Sequence, residues 1–149
     1  MGNDSLDFTI NTLGPCTIQS PIKLSSVQGD MTANYVSDDS YVINNVNVYD
    51  KTKPIILDST NLIEKAGPRE KIFFDPAHAK AGICTCGGLC PGLNDVIRAV
   101  VRCLNTRYGV KTVKGYQFGF HGFFAESGYE PIELDRYLID EIHKIGGTY

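Results

Sequence analysis

Residues 80–98, KAGICTCGGLCPGLNDVIR, constrain the fold more than any other stretch, because an apolar run ends in a Gly/Pro loop that opens directly into an amphipathic helix. Beta-prone Ala81 to Cys86 lead the backbone to Gly87 and Gly88, whose missing side chains let main-chain N–H groups approach a ligand closely. Pro91 pre-sets the first helical turn, so the free N–H groups and positive dipole end of the helix face the same space. That geometry suits a polyphosphate. It is not a Walker loop: Gly87 and Gly92 have the required separation, but Leu93 and Asn94 stand where Lys and Ser/Thr are needed. Nor is it the dinucleotide fingerprint, since Leu89 occupies the place of the second glycine and no acidic residue ends a neighbouring strand at the expected distance. Tight Gly/Pro turns also join strands to helices with nothing bound, so spacing alone leaves both readings open.

The pattern around this loop predicts an α/β arrangement. A strand over 81–86 leads to a helix from about Leu93 to Arg107, in which Leu93, Val96, Ile97, Val100, Val101 and Leu104 form one apolar face. Gly109 ends that helix and Lys111 to Tyr116 reads as the second strand, which implies a parallel pair with a right-handed crossover. Asp135 is expected to N-cap a second helix, with Leu138, Ile142 and Ile145 inward and Gly146 at its end; Gly147-Thr148-Tyr149 reads as the start of a third strand. Residues 1–65 mix Asn, Asp, Ser and Thr with short beta-branched runs such as Tyr41-Val42-Ile43 and Val46-Asn47-Val48-Tyr49, which suggests short strands and loops. The chain therefore divides near residue 79, into a small β-rich extension at 1–79 and an α/β part at 80–149. Asp38, Asp39 and Asp50 read as turn residues in the extension, not as a metal cluster.

Composition excludes several classes of function. The chain has 149 residues, the size of one domain, and a net charge of −3 with scattered Lys and Arg, which offers no basic patch to nucleic acid. No apolar run approaches the roughly 20 residues that span a bilayer, and no signal-peptide pattern opens the sequence, so the expected location is the cytosol. Leu6 breaks the myristoylation pattern begun by Met1-Gly2, and Asn3-Asp4-Ser5 is a sequon without a secretory signal. Five cysteines without secretory context read as free thiols. Alternation puts Cys84 and Cys86 on one face with Cys90 nearby, yet no fourth ligand and no Cys/His zinc spacing accompanies them.

Four strings together resemble the phosphofructokinases, and within them the ATP-dependent branch of plants and trypanosomatids: AGPREKIFFDP at 66–76, AGICTCGGLCPGLNDVIR at 81–98, GYQFGFHGFF at 115–124 and LDRYLIDEIHKIGGT at 134–148. The resemblance covers about the last 85 residues and implies the start of a doubly wound parallel, Rossmann-like sheet, with residues 1–79 as the extension ahead of it. It also implies transfer of the terminal phosphoryl group of ATP, with Mg2+, to the 1-hydroxyl of fructose 6-phosphate, by an enzyme that is a homo-oligomer, usually a homotetramer, subject to allosteric control. Such chemistry depends on positioning, charge neutralisation and a base on the attacking hydroxyl.

Position by position, the resemblance gives Gly88 backbone contact with the terminal phosphates of the donor. Gly87 shapes the same turn, and Gly92 and Asn94 hold the loop and the helix start. Phe120 matches an aromatic, usually tyrosine, beside the donor nucleotide; here the hydroxyl is missing. Leu89 replaces the aspartate of bacterial members. Asp95 reads as a dipole partner in the first helical turn, not as a magnesium ligand. Arg98 and Arg102 read as the solvated flank of the helix, His121 as a loop hydrogen-bonder, and Phe118, Phe120, Phe123 and Phe124 as aromatics packed under a loop. No catalytic or metal residue is assigned, because the GGDG-like phosphate loop and the TIDND-like segment with its general base occur nowhere in the sequence. The chain alone is therefore expected to be marginally stable and catalytically inactive. Two other readings stand beside an N-terminal portion of an ATP-dependent 6-phosphofructokinase: a non-catalytic nucleotide-binding or interaction module, and a thiol or metal module on Cys84, Cys86 and Cys90. A pyrophosphate donor also stays open.

Overall fold

The computed structural model describes residues 6–87 and 90–147. The chain forms two compact units, Met1–Phe73 and Phe74–Tyr149.

The first unit contains two short antiparallel pairs. β1 (Ile18–Gln19) pairs with β4 (Lys71–Ile72), and β2 (Tyr41–Ile43) pairs with β3 (Leu62–Glu64) in the register Tyr41↔Glu64, Val42↔Ile63, Ile43↔Leu62. The run Tyr41-Val42-Ile43 is thus a strand as expected. Val46 to Tyr49 is not, because Asn45 turns back to accept the Asn47 amide at 3.1 Å and competes with extended pairing.

Polar turns organise this unit. Asp-x-Thr recurs at Asp7, Asp30, Asp50 and Asp58, and in each the carboxylate accepts both the amide and the hydroxyl of the threonine two residues on; for Asp58 the distances are 2.9 and 2.6 Å. Arg69 is the second device. Its guanidinium donates to the carbonyls of Val36 and Ser37, to Lys65 O at 2.8 Å and to Glu64 Oε1 at 2.7 Å, and Asp38 lies 3.6 Å away. The residues before it fit closely: a Cβ on Gly67 would stand 2.4 Å from Val36 Cγ2, and Pro68 O accepts the Val36 amide at 2.8 Å. The string AGPRE is therefore a clamp on residues 36–38.

The second unit holds the buried apolar side chains. Ile97, Val101, Val110, Val113, Leu134, Ile139 and Ile142 form one cluster, with Ala81, Ile83, Leu104 and Leu138 packed against it. The sheet runs β5 (Lys80–Cys84), β6 (Thr112–Tyr116), β7 (Ile132–Glu133). β5 and β6 are parallel, with Lys80 opposite Thr112 and Cys84 opposite Tyr116, as the strand–helix–strand pattern predicts. β7 is antiparallel to β6, so the described sheet is mixed; two residues with one beta-branched side chain carry too little periodicity to be read as a strand. Of the third strand expected at Gly147-Thr148-Tyr149, the last two residues lie outside the described residues.

α1 (Leu93–Cys103) is followed by a π-helical turn, Leu104–Tyr108, and Gly109 ends it in the left-handed region at φ 74°. Only part of the expected apolar face is buried: Ile97 and Val101 are, whereas Val96 and Val100 are 58% and 42% exposed. α2 (Arg136–Glu141) begins where expected, with Asp135 accepting the Leu138 amide at 2.8 Å, and runs into a 3-10 turn, Ile142–Lys144. Its inward residues are Leu138, Ile139 and Ile142. Ile145, expected inward, is 52% exposed, because the tightened last turn swings it off the buried stripe.

Candidate functional site

The two ends of the parallel pair converge on one edge of the second unit. β5 delivers Thr85 and Cys86, and β6 delivers the loop Gln117–Phe124, at the same end of the sheet, as the pairing of Cys84 with Tyr116 requires. Gly119, at φ 62°, comes so close that a Cβ built on it would lie 3.4 Å from Thr85 O and 3.8 Å from Cys86 Sγ. The structure thus brings the strand-to-helix turn and the aromatic loop together.

Gly87 and Gly92 both take positive φ, 132° and 87°, a conformation that costs other residues energy. Among the described residues nothing lies within 4 Å of a Cβ built on either. Gly92 is the N-cap of α1 and supplies no side-chain cap, while the Leu93 amide donates to Cys90 O at 3.2 Å. Gly88 and Leu89, the middle of the loop, lie outside the described residues. Asn94 is buried, and its amide nitrogen donates to Ile142 O at 3.0 Å and Ile145 O at 2.9 Å. It therefore ties the start of α1 to the turn that follows α2. Asp95 lies in the first turn of α1 and is exposed.

Phe120 is 69% exposed at the outer side of the aromatic loop, 6.3 Å between centroids from Phe123, which in turn stacks on Tyr116 at 4.1 Å. Phe118 adopts φ 60° and packs on Tyr129 at 4.3 Å, with His121 5.9 Å from the same ring. Sequence reasoning did not single out Gly122. It is buried, and a Cβ there would stand 2.2 Å from Gln117 O, so the 3-10 turn Gly119–Phe123 closes only around a glycine. The repeated glycine in GFHGF was the available signal. Arg102 is exposed and Arg98 half-buried on the flank of α1, and both guanidinium groups lie 3.9 Å from Asp140 of α2.

The three loop cysteines line a cleft of about 470 Å³ beside β5, whose walls include Ile83, Leu93, Val96 and Val100. Its lining is mainly apolar, so a polyphosphate would engage the loop backbone and not this cleft. All five cysteines are free, and among the described residues no three His, Cys, Asp or Glu side chains gather as a metal set. Burial, ahead of the neighbouring Cys86 thiol, pushes the Cys84 thiol up.

A protein-family model described as Phosphofructokinase matches residues 80–149, the segment that carries this edge. Through that segment the chain belongs to the phosphofructokinase family. The ATP-dependent 6-phosphofructokinase of Borreliella burgdorferi is 41% identical over 150 residues, covering 98% of this chain and 32% of that protein. ATP-dependent 6-phosphofructokinase 5, chloroplastic, of Arabidopsis thaliana is 51% identical over 58% of this chain and 16% of its own length. The ATP-dependent 6-phosphofructokinase of Trypanosoma cruzi is 45% identical over 58% of this chain and 18% of its own length. The chain thus spans a third or less of these relatives. The first match also carries the similarity into the β-rich unit, well beyond the stretch in which the motifs are legible.

Proposed function

We propose that this phosphofructokinase-family chain is the N-terminal, donor-binding portion of an ATP-dependent 6-phosphofructokinase. The whole protein moves the terminal phosphoryl group of ATP to fructose 6-phosphate, giving fructose 1,6-bisphosphate in glycolysis. The observation that carries this reading is the convergence of the glycine turn after β5 with the aromatic loop after β6, inside the segment matched by the family model. The names of the relatives support ATP as the donor. In this reading β5 and β6 begin a doubly wound, Rossmann-like sheet, with residues 1–79 as an extension ahead of the α/β part.

Within the reading, the backbone around Gly87 and Gly88 and the uncapped start of α1 hold the donor phosphates, through N–H groups and the helix dipole. Gly92 keeps that helix start clear of side chains. Phe120 offers its exposed ring to the nucleotide, and Asn94 fixes α1 against α2 so that the phosphate turn keeps its place. Magnesium would neutralise phosphate charge. The described residues offer it no cluster of their own, so it would ride on the nucleotide. The base for the attacking hydroxyl and the site for the sugar phosphate belong to other parts of the whole enzyme, which this reading places in the cytoplasm as a homo-oligomer.

Titration of the chain with a fluorescent ATP analogue in the presence of Mg2+, with competition by ATP or pyrophosphate, tests the proposal. Saturable binding displaced by ATP, and weakened at least tenfold by Gly87→Val, is expected. Absence of saturable binding would overturn it, and displacement by pyrophosphate as effective as by ATP would transfer the reading to a pyrophosphate-dependent enzyme.

A further inference from the structure

The aromatic loop after β6 is clasped at both ends by the segment that follows it. Phe118, the corner where the chain leaves β6, takes φ 60°, a left-handed conformation that a bulky residue adopts at a cost. Its ring packs on that of Tyr129 at 4.3 Å between centroids, and the His121 ring stands at 62° to the same Tyr129 ring, 5.9 Å away. Ser127 closes the other end: its hydroxyl donates to Phe124 O at 2.7 Å and accepts the Tyr129 amide at 3.4 Å. Tyr129 is thus tied by its amide to the end of the loop and by its ring to the beginning. Phe120 lies between the two. Its ring is 69% exposed and its pairing with Phe123 is loose, 6.3 Å between centroids, so its place is set by the path of the loop.

We infer that Tyr129 is a positioning residue of the donor site, one that makes the site prefer a nucleoside triphosphate to a bare polyphosphate. The inference rests on the donor-binding reading of this edge. Backbone N–H groups at the glycine turn recognise phosphate and gain nothing from a base, whereas an exposed aromatic face gains from stacking on one. Stacking is strongest when the ring is already in place, because a ring that must be ordered on binding gives back part of the gain. Packing on Tyr129 holds Phe118 in its left-handed corner, and Gly119, the next residue, stands against Thr85 O. The same corner therefore keeps Phe120 at the edge where the glycine turn lies. Without the Tyr129 ring the corner relaxes and Phe120 loses its station, while the turn that holds phosphate is untouched.

Calorimetric titration of the full chain with MgATP and, separately, with magnesium tripolyphosphate tests this. The unaltered chain is expected to hold ATP at least about fivefold more tightly than tripolyphosphate. Tyr129→Ala should weaken ATP about tenfold and leave tripolyphosphate within about twofold, and Tyr129→Phe, which keeps the ring, should retain the preference. Phe118→Gly, which accepts φ 60° without strain but removes the other ring of the pair, should act as Tyr129→Ala does. In a Phe120→Ala chain, which has already lost the stacking ring, Tyr129→Ala should cost ATP nothing further. No preference for ATP in the unaltered chain, an unchanged preference in Tyr129→Ala and Phe118→Gly, equal weakening of both ligands, or losses that add in the double variant would overturn the inference and leave phosphate binding in place. Failure of the unaltered chain to bind either ligand would overturn the donor-binding reading, and this inference with it.

Discussion

Gly122 shows how one missing atom fixes a loop. With 2.2 Å between a built Cβ and Gln117 O, alanine forces the Gly119–Phe123 turn open. Gly122→Ala should cost about 1–3 kcal/mol and loosen the stacking of Phe123 on Tyr116; a lowered denaturation midpoint with faster amide exchange in the loop is the expected readout. The Asp-x-Thr turns give a second prediction at this scale. In Asp50 and Asp58 the threonine hydroxyl, followed by the threonine amide, holds the carboxyl below the ordinary aspartate value. A depressed folded value means that each turn contributes stability above the unfolded pKa, and that this contribution is lost as pH falls through the folded pKa. Carboxyl NMR titration should therefore find Asp58 ionised into more acid solution than an ordinary aspartate, and Thr60→Val should move it back up. Of these turns only Asp50 was legible in the sequence as a turn residue; the others were not, because Asp, Ser and Thr scattered through a polar segment carry no period.

Elements are joined here by buried polar ties as much as by apolar packing. Asn94 supplies hydrogen bonds to two carbonyls just after α2, and its removal leaves the Ile142 carbonyl without that donor in a buried place and the Ile145 carbonyl without it in a part-buried one. Asn94→Ala should cost about 2–4 kcal/mol, whereas Asp135→Ala, which removes a cap exposed to water, should cost about 1 kcal/mol. Chemical denaturation of both variants distinguishes the two roles. The sequence revealed α1, its glycine stop, the parallel pair and the Asp135 cap, since each rests on local chemistry: helical spacing, a left-handed position, a carboxylate before a helix. It did not reveal β7, which exists only because Lys114 and Gly115 offer a partner across the sheet. The glycine turn was likewise legible, whereas the approach of Gly119 to Thr85 was not, since the two are more than thirty positions apart and meet only through the strand pairing.

At the scale of the molecule, β5 pairs on one side only among the described residues, and Val96 and Val100 stand exposed on α1. Their helical spacing made them look like core, and the spacing was right about the face but not about what covers it. Replacing both by charged residues, Val96→Lys with Val100→Glu, should raise solubility while changing stability by less than about 0.5 kcal/mol per site; turbidity at rising concentration and thermal melting check the two parts.

All the buried apolar side chains among the described residues belong to the second unit, while Ser20 is the only buried residue of the first. Heat capacity follows from that division, because it is exposure of apolar surface to water that makes unfolding absorb progressively more heat as temperature rises. A calorimeter should consequently register the α/β unit almost by itself, and the β-rich unit, held by Arg69 and its aspartate turns, should come apart with little heat-capacity change, as a polar lattice dissolves instead of a core melting.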